Sequence, residues 1–183
     1  MRDPVRWCAL LLFAALTGRA DAHPVDEVVQ GAYLTLALGE LRLELDVTPG
    51  SEVAGRVLPA LDPDGDRAVS EDEAQAFAQD VLDQSTLTLD GVMAEWELVD
   101  VTVPPLGELA TGNAILKIMA TAARPEAPGD RVLAYENRYE PAKSLWIANV
   151  FLQPGSDWVY RVTGQERSDD GKGLTVRYTS TPP

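Results

Sequence analysis

The chain has 183 residues, with 29 acidic side chains against 15 lysines and arginines and a formal net charge of −14. Such a surface repels polyanions, so nucleic acid and anionic lipid are excluded as ordinary partners, while cations are attracted. One cysteine and one histidine leave no basis for a thiolate metal cluster or a histidine-based triad.

The first segment, Met1 to Ala22, reads as a signal peptide. Arg2 and Arg6 give a positive start, Trp7 to Leu16 is unbroken apolar sequence, and Ala20-Asp21-Ala22 has the small-x-small form that signal peptidase accepts. The apolar stretch is shorter than the roughly 20 residues that span a bilayer. Cys8 stands at its start rather than after it, which argues against a lipoprotein. The expectation is a periplasmic or secreted protein of one domain, His23 to Pro183, with no thiol and no membrane insertion after cleavage.

Most of the mature sequence reads as β. Tyr33 to Leu38 alternates, Gly39-Glu40 makes a tight turn, and Leu41, Leu43, Leu45 and Val47 alternate with Arg42, Glu44 and Asp46. Period two with one apolar face is the pattern of a half-buried strand, and these two runs predict a hairpin. A helical interlude is predicted at about 51–83. Ser51 offers an N-cap, and Val53, Val57, Leu58 and Leu61 fall on one face, with Pro59 set to kink or shorten the helix. A second helix is predicted from about Glu71 to Asp83. Strands resume at Thr86 to Leu89, and Asp90-Gly91 is a strong hairpin signal. Val92 to Val103 comes next as one run, then Ile115–Ala122, Arg131–Tyr139, Leu145–Leu152, Asp157–Gln165 and Leu174–Tyr178. Eight or nine strands spaced by turns predict a mainly β fold. The form expected is an antiparallel β-sandwich with an inserted helix-loop-helix.

The segment between the two helices, Asp62-Pro63-Asp64-Gly65-Asp66-Arg67-Ala68-Val69-Ser70-Glu71-Asp72-Glu73, carries the readable chemistry. It resembles the twelve-residue EF-hand calcium loop. Calcium is a hard cation that takes six to eight oxygens. Asp62, Asp64 and Asp66 stand at positions one, three and five. Ala68 at position seven supplies a backbone carbonyl, Ser70 stands at nine, and Glu73 at twelve supplies a two-oxygen ligand. Position six, normally glycine, is Arg67. A side chain in that left-handed turn costs roughly 1–2 kcal/mol. The resemblance implies bound Ca²⁺ at an affinity on the order of 10⁻⁴–10⁻³ M, as in extracellular modules. No second loop of this spacing occurs in the sequence, which points to a structural ion rather than a paired sensor.

Two other features invite comparison. His23 at a free amino terminus, with Asp26 or Glu27, could hold nickel, cobalt or copper, which would make the chain a periplasmic transition-metal carrier. Against this, Pro24 offers no backbone N–H and no second histidine exists. Asn137-Arg138-Tyr139-Glu140-Pro141 with Trp146 and Asn149 is the most distinctive stretch outside the loop, with packing at strand ends the favoured reading over a binding surface. No Gly-x-Ser-x-Gly and no phosphate-cradling loop is present, and the expectation is a protein that is not an enzyme.

Finally, His23-Pro24, Leu41 to Asp46, Leu61 to Glu73, Leu87 to Gly91 and Tyr135 to Trp146 together resemble the extracytoplasmic domain that precedes the membrane part of bacterial nickel/cobalt permeases of the hydrogenase/urease-accessory type. The sequence stops at Pro183, where such a permease continues into a membrane region. The resemblance therefore implies either a stand-alone periplasmic partner of a membrane metal permease or a diverged relative with another role.

Overall fold

A computed structural model describes residues 25–153, 155 and 157–183. The expected leader, Met1 to Ala22, and His23 lie outside the described residues. The alternation read at Leu41 to Val47 produces β2 (Glu40–Pro49), whose four apolar side chains are all buried. It pairs antiparallel with β1 (Val28–Ala37), from Val28 opposite Pro49 to Ala37 opposite Glu40. Gly39 takes the positive φ, 76°, that the two-residue link needs.

Two helices come next. α1 (Ala54–Leu61) begins later than Ser51 allows. Its cap is Val53, which has no capping side chain, and the Val53 and Ala54 N–H groups bond to the Gly50 carbonyl instead. Pro59 lies inside this eight-residue helix, so little helix remains for it to disrupt. α2 (Glu71–Asp83) has the expected bounds and a complete capping box between Ser70 and Glu73.

The remaining elements are β3 (Ser85–Leu89), β4 (Val92–Ala94), β5 (Glu97–Thr102), the short α3 (Leu106–Leu109), β6 (Leu116–Ala123), β7 (Gly129–Asn137), β8 (Ser144–Gln153), β9 (Val159–Arg167) and β10 (Gly173–Thr181). They form two five-stranded sheets, in the orders β5-β6-β2-β1-β8 and β4-β3-β7-β10-β9. The protein is thus mainly β, as the strand pattern predicts. Among the described residues no helix is long and apolar enough to cross a membrane.

Two details differ from the sequence-based expectation. The pairing of β1 with β8 is parallel, Val28 opposite Ser144 through Ala37 opposite Gln153. Alternation specifies which face of a strand is buried, not which neighbour it takes or in which direction. The run Val92 to Val103 is also two strands: β4 pairs with β3 in one sheet and β5 with β6 in the other. Glu95 and Trp96 carry the chain across.

The inward faces build one apolar cluster. Leu34, Leu36, Leu43, Leu45 and Ile118 of the first sheet lie in it with Leu87, Leu133, Leu174 and Val176 of the second. Each fully buried Leu, Ile or Val contributes about 1.5–3 kcal/mol relative to exposure. Val57 and Leu61 of α1 and Phe77, Val81 and Leu82 of α2 belong to the same cluster, so the helices are anchored at both ends of the loop between them. A buried polar bridge also links the sheets. Asn137 Nδ2 donates to Gln30 Oε1 at 2.8 Å, Gln30 Nε2 to the Tyr139 carbonyl at 2.8 Å, and the Tyr139 N–H to Asn137 Oδ1 at 3.0 Å.

Candidate metal centre

The loop leaves α1 at Asp62 and enters α2 at Glu71. Its backbone is folded by its own carboxylates. Asp62 Oδ1 accepts the Gly65 N–H at 2.9 Å, and Asp62 Oδ2 accepts the Arg67 N–H at 3.0 Å. Asp64 Oδ1 accepts from Asp66 N at 3.1 Å, and Asp66 Oδ1 from Ala68 N at 2.7 Å. These bonds curl the chain so that one oxygen each of Asp62, Asp64 and Asp66 lie within 4.8 Å of one another. Gly65 and Arg67 take φ of 74° and 71°. Arg67 therefore holds the left-handed conformation that the resemblance assigns to position six.

The Asp64 carboxyl reports the crowding. The Asp66 N–H draws its pKa down, but desolvation, the charge of Asp66, a hydrogen bond shared with the Asp62 side chain and the charge of Glu73 push it up, and the balance lies above the ordinary 3.8. Three carboxylates in this arrangement repel one another, and a multivalent cation would relieve the repulsion.

Of the six residues read as ligands, the structure brings together the three aspartates. Glu73 is engaged elsewhere: its Oε2 accepts from the Ser70 N–H and Oγ, both at 2.8 Å, and the Glu73 N–H returns a 3.3 Å bond to Ser70 Oγ. Its Oε1 takes part in none of these bonds. Glu73 is still near enough to raise the Asp64 pKa through its charge. Ala68 and Ser70 are exposed, as is most of the loop. The donor set is all oxygen and largely anionic, which fits a hard divalent cation and not a soft one.

In the stretch Asn137 to Trp146 buried and exposed side chains are mixed, with Arg138 and Glu140 exposed. Asn137 and Tyr139 are buried, Tyr139 meets Phe77 edge to face at 5.9 Å, and the Trp146 ring lies under Lys172 Nζ at 4.5 Å. A different group escaped the sequence reading. Arg124 is fully buried, lies 5.0 Å from the Tyr160 ring centre, and pairs with Glu126 and the Ala37 carbonyl. It follows two alanines on a strand and precedes a proline, so no periodicity or motif marks it.

Fold and loop together define a mainly β, two-sheet protein with a three-aspartate cluster held between helices. No family model matches the chain, and no curated protein matches it. Among solved structures it is similar to the crystal structure of Legionella pneumophila aminopeptidase A in complex with aspartic acid, at 12% identity and a TM-score of 0.22. That match covers 88% of this chain and 21% of that one, so the chain spans about a fifth of the enzyme's length.

Proposed function

We propose that this is a calcium-binding protein of the periplasmic or secreted space, in which one EF-hand-type loop holds the ion in a mainly structural role. The observation that carries the reading is the convergence of Asp62, Asp64 and Asp66 oxygens within 4.8 Å. Ca²⁺ would be held by these three carboxylates, the Ala68 carbonyl, Ser70 and Glu73. Bound there, it would supply charge neutralisation and no chemistry of its own. The structural role follows from where the loop sits, between two helices that both contribute side chains to the central core.

The test is a calorimetric titration with calcium, paired with thermal melts. At a dissociation constant of 10⁻⁴–10⁻³ M, calcium at about 10 mM adds about 1.4–2.7 kcal/mol of stability by mass action. Magnesium at equal ionic strength, which prefers tighter octahedral sites, should add much less. Asp62→Ala should abolish both the heat and the stabilisation, and Glu73→Gln should weaken them. A protein that gives no calcium heat and melts at the same temperature with and without calcium does not have this function.

A further inference from the structure

The chain contains three Asp–Gly steps, Asp64–Gly65, Asp90–Gly91 and Asp170–Gly171. Such a step can rearrange, because glycine has no side chain to shield its nitrogen from the preceding carboxyl. The fold holds two of the three fast. The Asp90 N–H donates to the Val132 carbonyl at 2.8 Å, its Oδ1 accepts the Val132 N–H at 2.8 Å, and its Oδ2 accepts from Arg131 Nε at 2.5 Å. Asp170 Oδ1 accepts from Ser168 Oγ at 2.5 Å and from the Lys172 N–H at 3.1 Å. The Gly171 N–H donates to the Ser168 carbonyl at 3.0 Å, a neutral acceptor, and a Cβ on Gly171 would lie 3.0 Å from the Trp146 carbonyl oxygen. Both steps sit in turns that close paired strands, β3 with β4 and β9 with β10.

Asp64–Gly65 belongs to no helix or strand, both residues are exposed, and a Cβ on Gly65 would meet nothing within 4 Å. The Asp66 N–H, 3.1 Å from Asp64 Oδ1, folds that carboxylate forward over the Gly65 peptide. The Gly65 N–H in turn points at a base. It donates to Asp62 Oδ1 at 2.9 Å, inside the range of roughly 2.6–3.2 Å over which a carboxylate takes a proton from its partner. One oxygen each of Asp62 and Asp64 lie within 4.8 Å, a span no wider than one bridging water.

We propose that Asp64–Gly65 is a self-modification site, at which the aspartate converts to isoaspartate with Asp62 as the base. The Gly65 nitrogen bonds to Asp64 Cγ while Asp62 takes its proton. A Cγ–O bond breaks, and the departing oxygen leaves as water with that proton and one from solvent. The product is a cyclic imide, lighter by one water. Water then cleaves the original bond between the Asp64 carbonyl carbon and the Gly65 nitrogen. This restores the mass and leaves the main chain running through Cβ and Cγ. The extra main-chain carbon puts Asp62 out of step with Asp66 and Glu73, so the metal loop is spoiled. Bound calcium would occupy both carboxylates and block the step; this protection rests on the calcium reading above, while the rearrangement does not.

The test is peptide mapping of the full chain aged in warm neutral buffer with a chelator, using a protease that cuts at aspartate but not at isoaspartate. Isoaspartate should build up at Asp64 roughly tenfold faster than at Asp90 or Asp170. Asp62→Asn keeps an acceptor for the Gly65 N–H but removes the base, and should slow the reaction about tenfold. Calcium at about 10 mM in place of the chelator should slow it as well. Equal rates at the three steps overturn the proposal, as does an Asp62→Asn chain that rearranges as fast as the parent. Calcium heat in calorimetry without slower rearrangement overturns the protection. A chain that gives no calcium heat yet rearranges first at Asp64 refutes the calcium function and supports the base-assisted step.

Discussion

Arg67 occupies a backbone conformation, φ 71°, that glycine fills without cost. Its side chain is exposed, and its N–H is held by Asp62 Oδ2, so nothing but the turn needs this geometry. The steric cost of a Cβ there is about 1–2 kcal/mol, partly offset because glycine loses about 0.5–1 kcal/mol more backbone entropy on folding. Arg67→Gly should therefore raise stability by about 0.5–1 kcal/mol, measured by urea denaturation without calcium. A loss of stability instead would mean that Arg67 makes a contact that outweighs its strain. The spacing of Asp62, Asp64 and Asp66 made this turn legible from sequence alone. The position of Glu73 was not, because Ser70-x-x-Glu73 belongs to two patterns at once. The same residues make a capping box and the ninth and twelfth places of the loop, and here the capping bonds hold the Glu73 carboxylate.

Strands and helices were legible where one face is apolar and the other charged, as in β2 and α2. The Asp90-Gly91 hairpin was legible because both residues take positive φ, 52° and 79°, which is what a two-residue primed turn requires. Partners beyond the hairpins were not legible, since each such neighbour is chosen by tertiary packing far along the chain. The polar bridge between β1 and β7 is a case in point. Gln30 and Asn137 stand 107 positions apart and look like ordinary amides in the sequence. Asn137→Ala would leave the Gln30 Oε1 and the Tyr139 N–H buried without partners. At about 1–3 kcal/mol per orphaned group, it should cost about 2–6 kcal/mol in chemical denaturation. A cost under about 1 kcal/mol would mean that water replaces the amide.

At the scale of the whole molecule, one end of the sandwich is pinned by Glu126 and Arg124, which draw the β1–β2 turn, the β6–β7 connection and β9 together. Burial raises the Glu126 pKa. The Tyr160 hydroxyl, the Gly39 N–H and the Arg124 charge lower it more, so it lies below the ordinary 4.5. A folded value below the unfolded one means that the ionised form favours the fold. Its contribution is complete above about pH 4.5 and disappears as pH falls through the lower folded value. Glu126→Gln should therefore flatten the acid limb of the stability curve below about pH 4.5, read as denaturation midpoint against pH. An unchanged slope would mean that other carboxylates set acid stability. The parallel union of β1 and β8 has a separate consequence for the nascent chain. Val28 cannot find its partner until Ser144 has left the ribosome, so one side of β1 stays bare for most of synthesis. Such a long wait favours slow closure and aggregation of partly made chains, and it gives a chaperone that shields extended segments a defined place to act.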